Sequence, residues 1–147
     1  MRIGKRGKTC LLVIGIILAV LLLAASVVLM IPSKVTTAPQ VQFIVVQDSV
    51  TPTGAAFMFI NEADATMEYS MEFSVEKKTA FGWRKVMIKA IPSIPAVVCI
   101  ALPRSQRNDE VNWSYLYGSL RRGQYRLVKD IKLLGEEYML AAEFTVP

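Results

Sequence analysis

The chain reads as all-β: an antiparallel sandwich of about seven short strands, preceded by one N-terminal transmembrane α-helix. Three observations predict this. Residues 9–31 carry no charge, and only Thr9, Gly15 and Ser26 among them are not apolar. After Lys34 the dominant pattern is two-residue alternation, broken by turn-forming residues. No segment there sustains a 3.6-residue period; only Asn112–Gly118 suggests a helical turn.

At about 1.5 Å per residue, the apolar run spans roughly 34 Å, enough for a hydrocarbon core near 30 Å. Residues 1–8 form a basic tail with Arg2, Lys5, Arg6 and Lys8. The positive-inside bias keeps that tail in the cytoplasm and places everything after Lys34 outside. The expectation is a single-pass cell-membrane protein whose partner through residues 9–31 is the lipid bilayer. Cleavage as a signal peptide is the alternative, with Ala24-Ala25-Ser26 as a tolerable site. It would export a free domain, but with Val27-Val28-Leu29-Met30-Ile31 left on the new N-terminus, so the retained signal anchor is favoured. Cys10 stands at the start of the apolar run, not after it, which excludes a lipoprotein signal.

The net charge of +5 comes mostly from that tail. Four of the 17 Lys and Arg precede the span, leaving 13 against 12 acidic residues beyond it. Such a balance offers no concentrated basic face for nucleic acid. Cys10 and Cys99 fall on opposite sides of the expected span, so the outer domain has no internal disulfide. Residues 40–147 are enough to bury roughly two-thirds of their unfolded surface and hold themselves by a core. Cys99, within Ala96–Leu102, is expected as a buried, inert thiol.

Residues 32–39 contain Pro32 and Pro39 among small polar residues and read as a short extended stalk. Val41–Val46 and Phe57–Ile60 follow as strands, separated by Thr51-Pro52-Thr53-Gly54. From Met67 to Glu76 the alternation is unbroken, which predicts one half-buried strand with Glu68, Glu72 and Glu76 on its wet side. Lys77–Gly82 turns into Trp83-Arg84-Lys85-Val86 as a hairpin. Gln124–Val128 and Tyr138–Val146 complete the pattern. Residues 87–108, with Pro92, Pro95 and Pro103, give no strand layout.

Leu120-Arg121-Arg122-Gly123-Gln124-Tyr125 spaces a leucine, a glycine and a tyrosine as at the corner before strand F of immunoglobulin-like sandwiches. There the tyrosine hydroxyl bonds back to the backbone a few residues upstream. A core tyrosine on an ordinary strand is the plainer reading.

With that corner, the chain resembles the bacterial Ig-like domain family, small extracytoplasmic domains of Gram-positive-type bacteria. The resemblance rests on Val50-Thr51-Pro52-Thr53-Gly54, then Phe73 with Glu76-Lys77-Lys78, then Trp83 and Val86. It is strongest over Asn112-Trp113-Ser114, Leu116-Tyr117-Gly118, Leu120, Gly123 and Tyr125–Lys129, and closes with Tyr138 and Leu140–Val146. It covers roughly 48–146 and fades over 87–108. Where the family carries prolines before the glycine, this chain has Arg121-Arg122. Such domains occur alone behind a signal or anchor, and appended to membrane signalling peptidases. The resemblance implies the immunoglobulin-like fold and transfers no catalytic residue.

Chemistry is hard to find. The chain has no histidine, which removes the usual general base, the triads and most zinc sites. Ser74-Val75-Glu76-Lys77 matches Ser-x-x-Lys, yet on a strand its ends point to opposite faces, and neither Ser-Asp-Asn nor Lys-Thr-Gly follows. Successive carboxylates of Glu68, Glu72 and Glu76 lie about 13 Å apart at strand rise, too far for a glycosidase pair. Asn61, Glu62 and Asp64 form a turn in preference to a calcium site. Asn112-Trp113-Ser114 is formally a glycosylation sequon that a bacterial host would not use. Lys77-Lys78, Arg84-Lys85 and Arg121-Arg122 are paired basics near turns, read as solvated; gathered at one end they would meet an anionic wall polymer or lipid headgroups. Trp83, Trp113, Tyr115 and Tyr117 read as core and corner. The expectation is therefore a non-enzymatic protein with no catalytic, cofactor-binding or metal-binding residues and no cofactor. It binds or modulates an unidentified envelope protein or wall polymer.

Overall fold

A computed structural model describes residues 13–24, 31–93 and 97–147. The chain divides into two compact units, Met1–Ile31 and Pro32–Pro147. In the first, residues 13–24 are helical and Ile31 is not. Of the expected span of 9–31, residues 9–12 and 25–30 lie outside the described residues. No helix among the described residues is long and apolar enough to cross a membrane. The helical stretch is apolar all round, with Ile16, Ile17, Leu18, Val20, Leu21 and Leu23 each more than half exposed.

The second unit is organised by its two longest strands. Among the described residues it has nine, in order β1 (Val41–Val45), β2 (Gly54–Asn61), β3 (Met67–Ser70), β4 (Ser74–Thr79), β5 (Gly82–Lys85), β6 (Val98–Ala101), β7 (Ser105–Asn112), β8 (Gly123–Leu133) and β9 (Glu136–Val146). One sheet has the order β1-β2-β7. In the other, β9 runs the full length of one edge of β8. Along the opposite edge β8 pairs β4 with its first half and β3 with its second. β5 and β6 close that layer on the far sides of β4 and β3. All pairings are antiparallel, and the apolar alternation of β2, β8 and β9 fills the space between the sheets with Phe57, Phe59, Leu127, Ile131, Leu133, Ala142 and Phe144. The helical turn expected within Asn112–Gly118 is present at Ser114–Tyr117.

The single strand expected over Met67–Glu76 is two. Met67 faces Leu133 and Tyr69 faces Ile131, whereas Ser74 faces Val128 and Lys77 faces Tyr125. The register slips by two residues between them, a bulge at Met71–Phe73. An even slip keeps Tyr69 and Val75 on the same face, so the alternation passes through the bulge without a mark. The stretch without a strand layout holds β6 and the first half of β7, with Pro103 in the connection between them, where β-sheets tolerate proline.

Residues 32–38, expected as a stalk, run without secondary structure across the outer face of the β8–β9 layer. Thr36 donates its amide to the Met139 carbonyl (2.8 Å) and accepts from the Met139 amide on its hydroxyl (2.9 Å). The Ser33 amide donates to Glu76 Oε1 (2.5 Å), and Ala38 is buried. The Gln47 side chain exchanges two bonds with Thr145, so the free edge of β9 is partly occupied.

Candidate functional site

Glu76 departs most from expectation. Expected on a wet strand face, it is fully buried (0 % exposed). Arg126, opposite it on β8, donates to Glu76 Oε2 from Nε (2.8 Å) and from an Nη (2.6 Å). The guanidinium lies over the Trp83 ring, 4.8 Å from its centroid. Ser33 covers the other carboxylate oxygen. Val75 and Glu76 are therefore both buried on β4, one in the core and one under the Trp83–Arg126–Ser33 cover. Glu68 and Glu72 remain exposed as expected.

The corner forms as the sequence suggests. The Tyr125 hydroxyl donates to the Arg121 carbonyl at 2.7 Å. Gly123 has φ +154°, a conformation that side chains with a Cβ rarely adopt, so the corner needs glycine there, with the Lys77 side chain packed alongside. Tyr125, Phe144 and Trp113 stack in succession, with centroids 5.8 and 5.2 Å apart. Tyr125→Phe keeps the ring but leaves the carbonyl unpartnered, and should cost about 1–3 kcal/mol in thermal or denaturant unfolding. Unchanged stability would mean the bond contributes nothing.

Trp113 and Tyr117 are buried in the core as expected, whereas Tyr115 is exposed and Trp83 partly so. Asn112 of the formal sequon accepts from the Ser114 amide and hydroxyl (2.9 and 2.6 Å), opening the helical turn. Buried Asn61 donates to the carbonyls of Ala65, Ala101 and Leu102 and accepts from the Ala63 amide, stapling two connections. Asp64 pairs with Arg104 on the surface. No group of metal-ligating side chains occurs among the described residues. Cys99 is half-buried, packed against the core but less enclosed than expected.

Opposite the bulge lies an inward-facing lysine. Lys129 sits between Leu127 and Ile131 on the core side of β8 and is only 3 % exposed. Its ammonium donates to the Glu72 carbonyl at 3.0 Å, a group that the bulge frees from regular pairing. It lies 5.2 Å from the Phe57 ring centroid and 5.7 Å from that of Tyr69. The Tyr69 hydroxyl donates to Asp109, which also accepts from Arg107. Lys129, Phe57, Tyr69 and Asp109 line a cleft of about 380 Å³ between the sheets, with Met71, Phe73, Cys99 and Val111. Lys129 is not among the residues that chemistry alone marks in the sequence. The parity of Tyr125, Leu127, Ile131 and Leu133 carried the signal, because it directs residue 129 inward.

Burial pushes the Lys129 ammonium down to about 8, against the pull of Cys99, Asp109, Asp130 and Glu72. Between that value and the ordinary lysine value near 10.4, the unfolded chain binds more protons, so stability rises with pH. Below about pH 8 both states are protonated and the cost of enclosing the charge is fully present. Burial, aided at Tyr69 by Asp109, raises the hydroxyls of Tyr69 and Tyr117, so stability falls again above about pH 10 as the unfolded tyrosines ionise. Denaturant unfolding from pH 7 to 11 should pass through a maximum. Lys129→Met should remove the rise and add up to about 3 kcal/mol at neutral pH. A rise that persists in that variant would assign it to another group.

The chain belongs to the bacterial Ig-like domain family, whose model matches residues 37–145. None of the curated proteins matches it. Among solved structures, it is similar to the alkylpurine DNA glycosylase AlkC of Pseudomonas fluorescens bound to DNA containing an abasic site analog. The identity is 12 % and the TM-score 0.36, over 76 % of this chain and 31 % of that one. The chain thus spans about a third of that protein's length.

Proposed function

We propose that this protein is a membrane-anchored extracytoplasmic Ig-like domain that acts without catalysis, by binding or modulating a neighbouring envelope protein. The observation that carries the reading is an Ig-like sandwich following directly on 23 uncharged, mostly apolar residues that have four basic residues before them. The all-round apolar surface of the helix at 13–24 supports it, since such a helix needs an apolar environment on every side. The absence of histidine, and the fixing of Glu76 by Arg126 in a structural pair, support a non-enzymatic role. Protease added to intact spheroplasts should digest residues 34–147. Complete protection would overturn the topology.

The exported soluble domain remains a second reading because Ala24-Ala25-Ser26 offers a cleavage site. Mass spectrometry of membrane and medium fractions separates the two. A full-length chain in the membrane supports the anchor; a chain in the medium lacking its N-terminal segment replaces it with a soluble binder or inhibitor.

A further inference from the structure

The β4–β5 hairpin projects an aromatic tip from a basic base. Thr79 pairs with Gly82, so the loop is Ala80-Phe81, pinned by the Thr79 hydroxyl donating to the Gly82 carbonyl at 2.7 Å. Phe81 at the tip is 86 % exposed, a position with no packing reason for a phenylalanine. Behind it Lys77 faces Arg84 and Lys78 faces Trp83, with Lys78 Nζ 5.6 Å from the Trp83 ring centroid. Lys77 also abuts Gly123, which brings Arg121 and Arg122 of the corner beside the hairpin. None of Lys77, Lys78, Arg84, Lys85, Arg121 and Arg122 is ion-paired among the described residues. Acids near the tip are few: Glu76 is consumed by Arg126 and Glu143 lies opposite Arg126 on β9, while Glu72 and Asp130 line a cleft with Lys85 farther down the same layer.

The direction of the chain adds a second observation. Thr36 is held at Met139, which pairs with Asp130; Ser33 is held at Glu76 and Arg126. From Thr36 to Ser33 the segment therefore runs toward the Gly123 end of β8, the end that carries the corner and the hairpin tip. Ser33 lies two residues after the apolar run, a reach of about 7 Å.

We infer that this end of the sandwich docks on anionic phospholipid headgroups. Phe81 enters the interface, Trp83 lies at headgroup level, and the six basic residues meet lipid phosphates. The orientation rests on the anchored reading above, whereas the headgroup contact itself does not. Exposed Phe and Trp with flanking Lys and Arg are the groups that partition into an anionic interface.

The test uses the full chain in nanodiscs of phosphatidylglycerol or phosphatidylcholine carrying brominated acyl chains. Tryptophan emission is read in a Trp113→Phe background, so that Trp83 alone reports. Quenching should appear with phosphatidylglycerol and weaken as salt is raised. Phe81→Ser should weaken it, and Lys78→Gln with Lys85→Gln should lower affinity about five-fold per residue, equivalent to ~1 kcal/mol each. A chain that stays with the discs through an alkaline wash, yet shows equal Trp83 emission in both lipids, overturns the docking and leaves the anchor standing. Should the chain leave the discs, the anchor fails. Anionic vesicles added to the released chain then decide the docking by the same quenching, whose absence overturns it. Displacement from anionic lipid by soluble polyphosphate, with Phe81→Ser behaving as the parent, would overturn it in favour of a wall polymer.

Discussion

Replacing Glu76 by alanine is expected to lower stability by about 3–5 kcal/mol, the cost of leaving one partner of a buried ion pair uncompensated. Arg126 would keep its charge beneath Trp83 with only the Ser33 carbonyl, at 3.4 Å, as a weak acceptor. The Ser33 amide would lose its acceptor as well, releasing the start of residues 32–38. The double variant Glu76→Met/Arg126→Met removes both charges at similar volume and should recover most of the loss, because the pair itself sits near break-even with apolar packing. Urea unfolding of the two variants beside the parent decides it. Equal losses in single and double variants would show that packing, not charge, governs the site.

Trp113→Ala should cost a comparable 3–5 kcal/mol for the cavity alone. The indole is fully buried, stacks on Phe144, and donates from Nε1 to the Pro52 carbonyl at 2.8 Å. The Leu120 amide shares that acceptor, also at 2.8 Å, so the ring ties the β1–β2 connection to the approach to the corner. Trp113→Phe keeps most of the volume and should cost less, about 1–2 kcal/mol, with one acceptor still served by Leu120. Thermal unfolding orders the three chains. A Phe variant as damaged as the Ala variant would move the weight from the ring to the indole bond.

Legibility in the sequence followed the range of the interactions. Tyr125 was readable because its partner, Arg121, stands four residues away and the corner spacing is local. β1, β2, β5, β8 and β9 lie where β-branched and aromatic content, the hairpin turn or alternation predicts them, though β2 and β8 run longer than expected. Glu76 was misread because its partner is fifty residues distant and its cover comes from Ser33, forty-three residues back. No alternation pattern encodes a polar face that another segment later covers. The bulge was invisible for a different reason: two extra residues leave a period of two unchanged. Lys129 lies between these cases, since its parity was legible but the carbonyl that receives it exists only once the bulge has formed.

The way residues 32–38 lie on the sandwich governs how the protein yields to tension. A pull on the N-terminus reaches the Ser33–Glu76 bond first and the paired Thr36–Met139 bonds next, before β1 and the aromatic core behind it. These bonds stand in series along one strap, so they open one after another instead of sharing the force, as a zipper does. The strap then lengthens at low tension by about 3.5 Å per freed residue and leaves both sheets intact. Under such a pull the strap would act as a mechanical fuse, extending and re-forming while the two sheets stay folded.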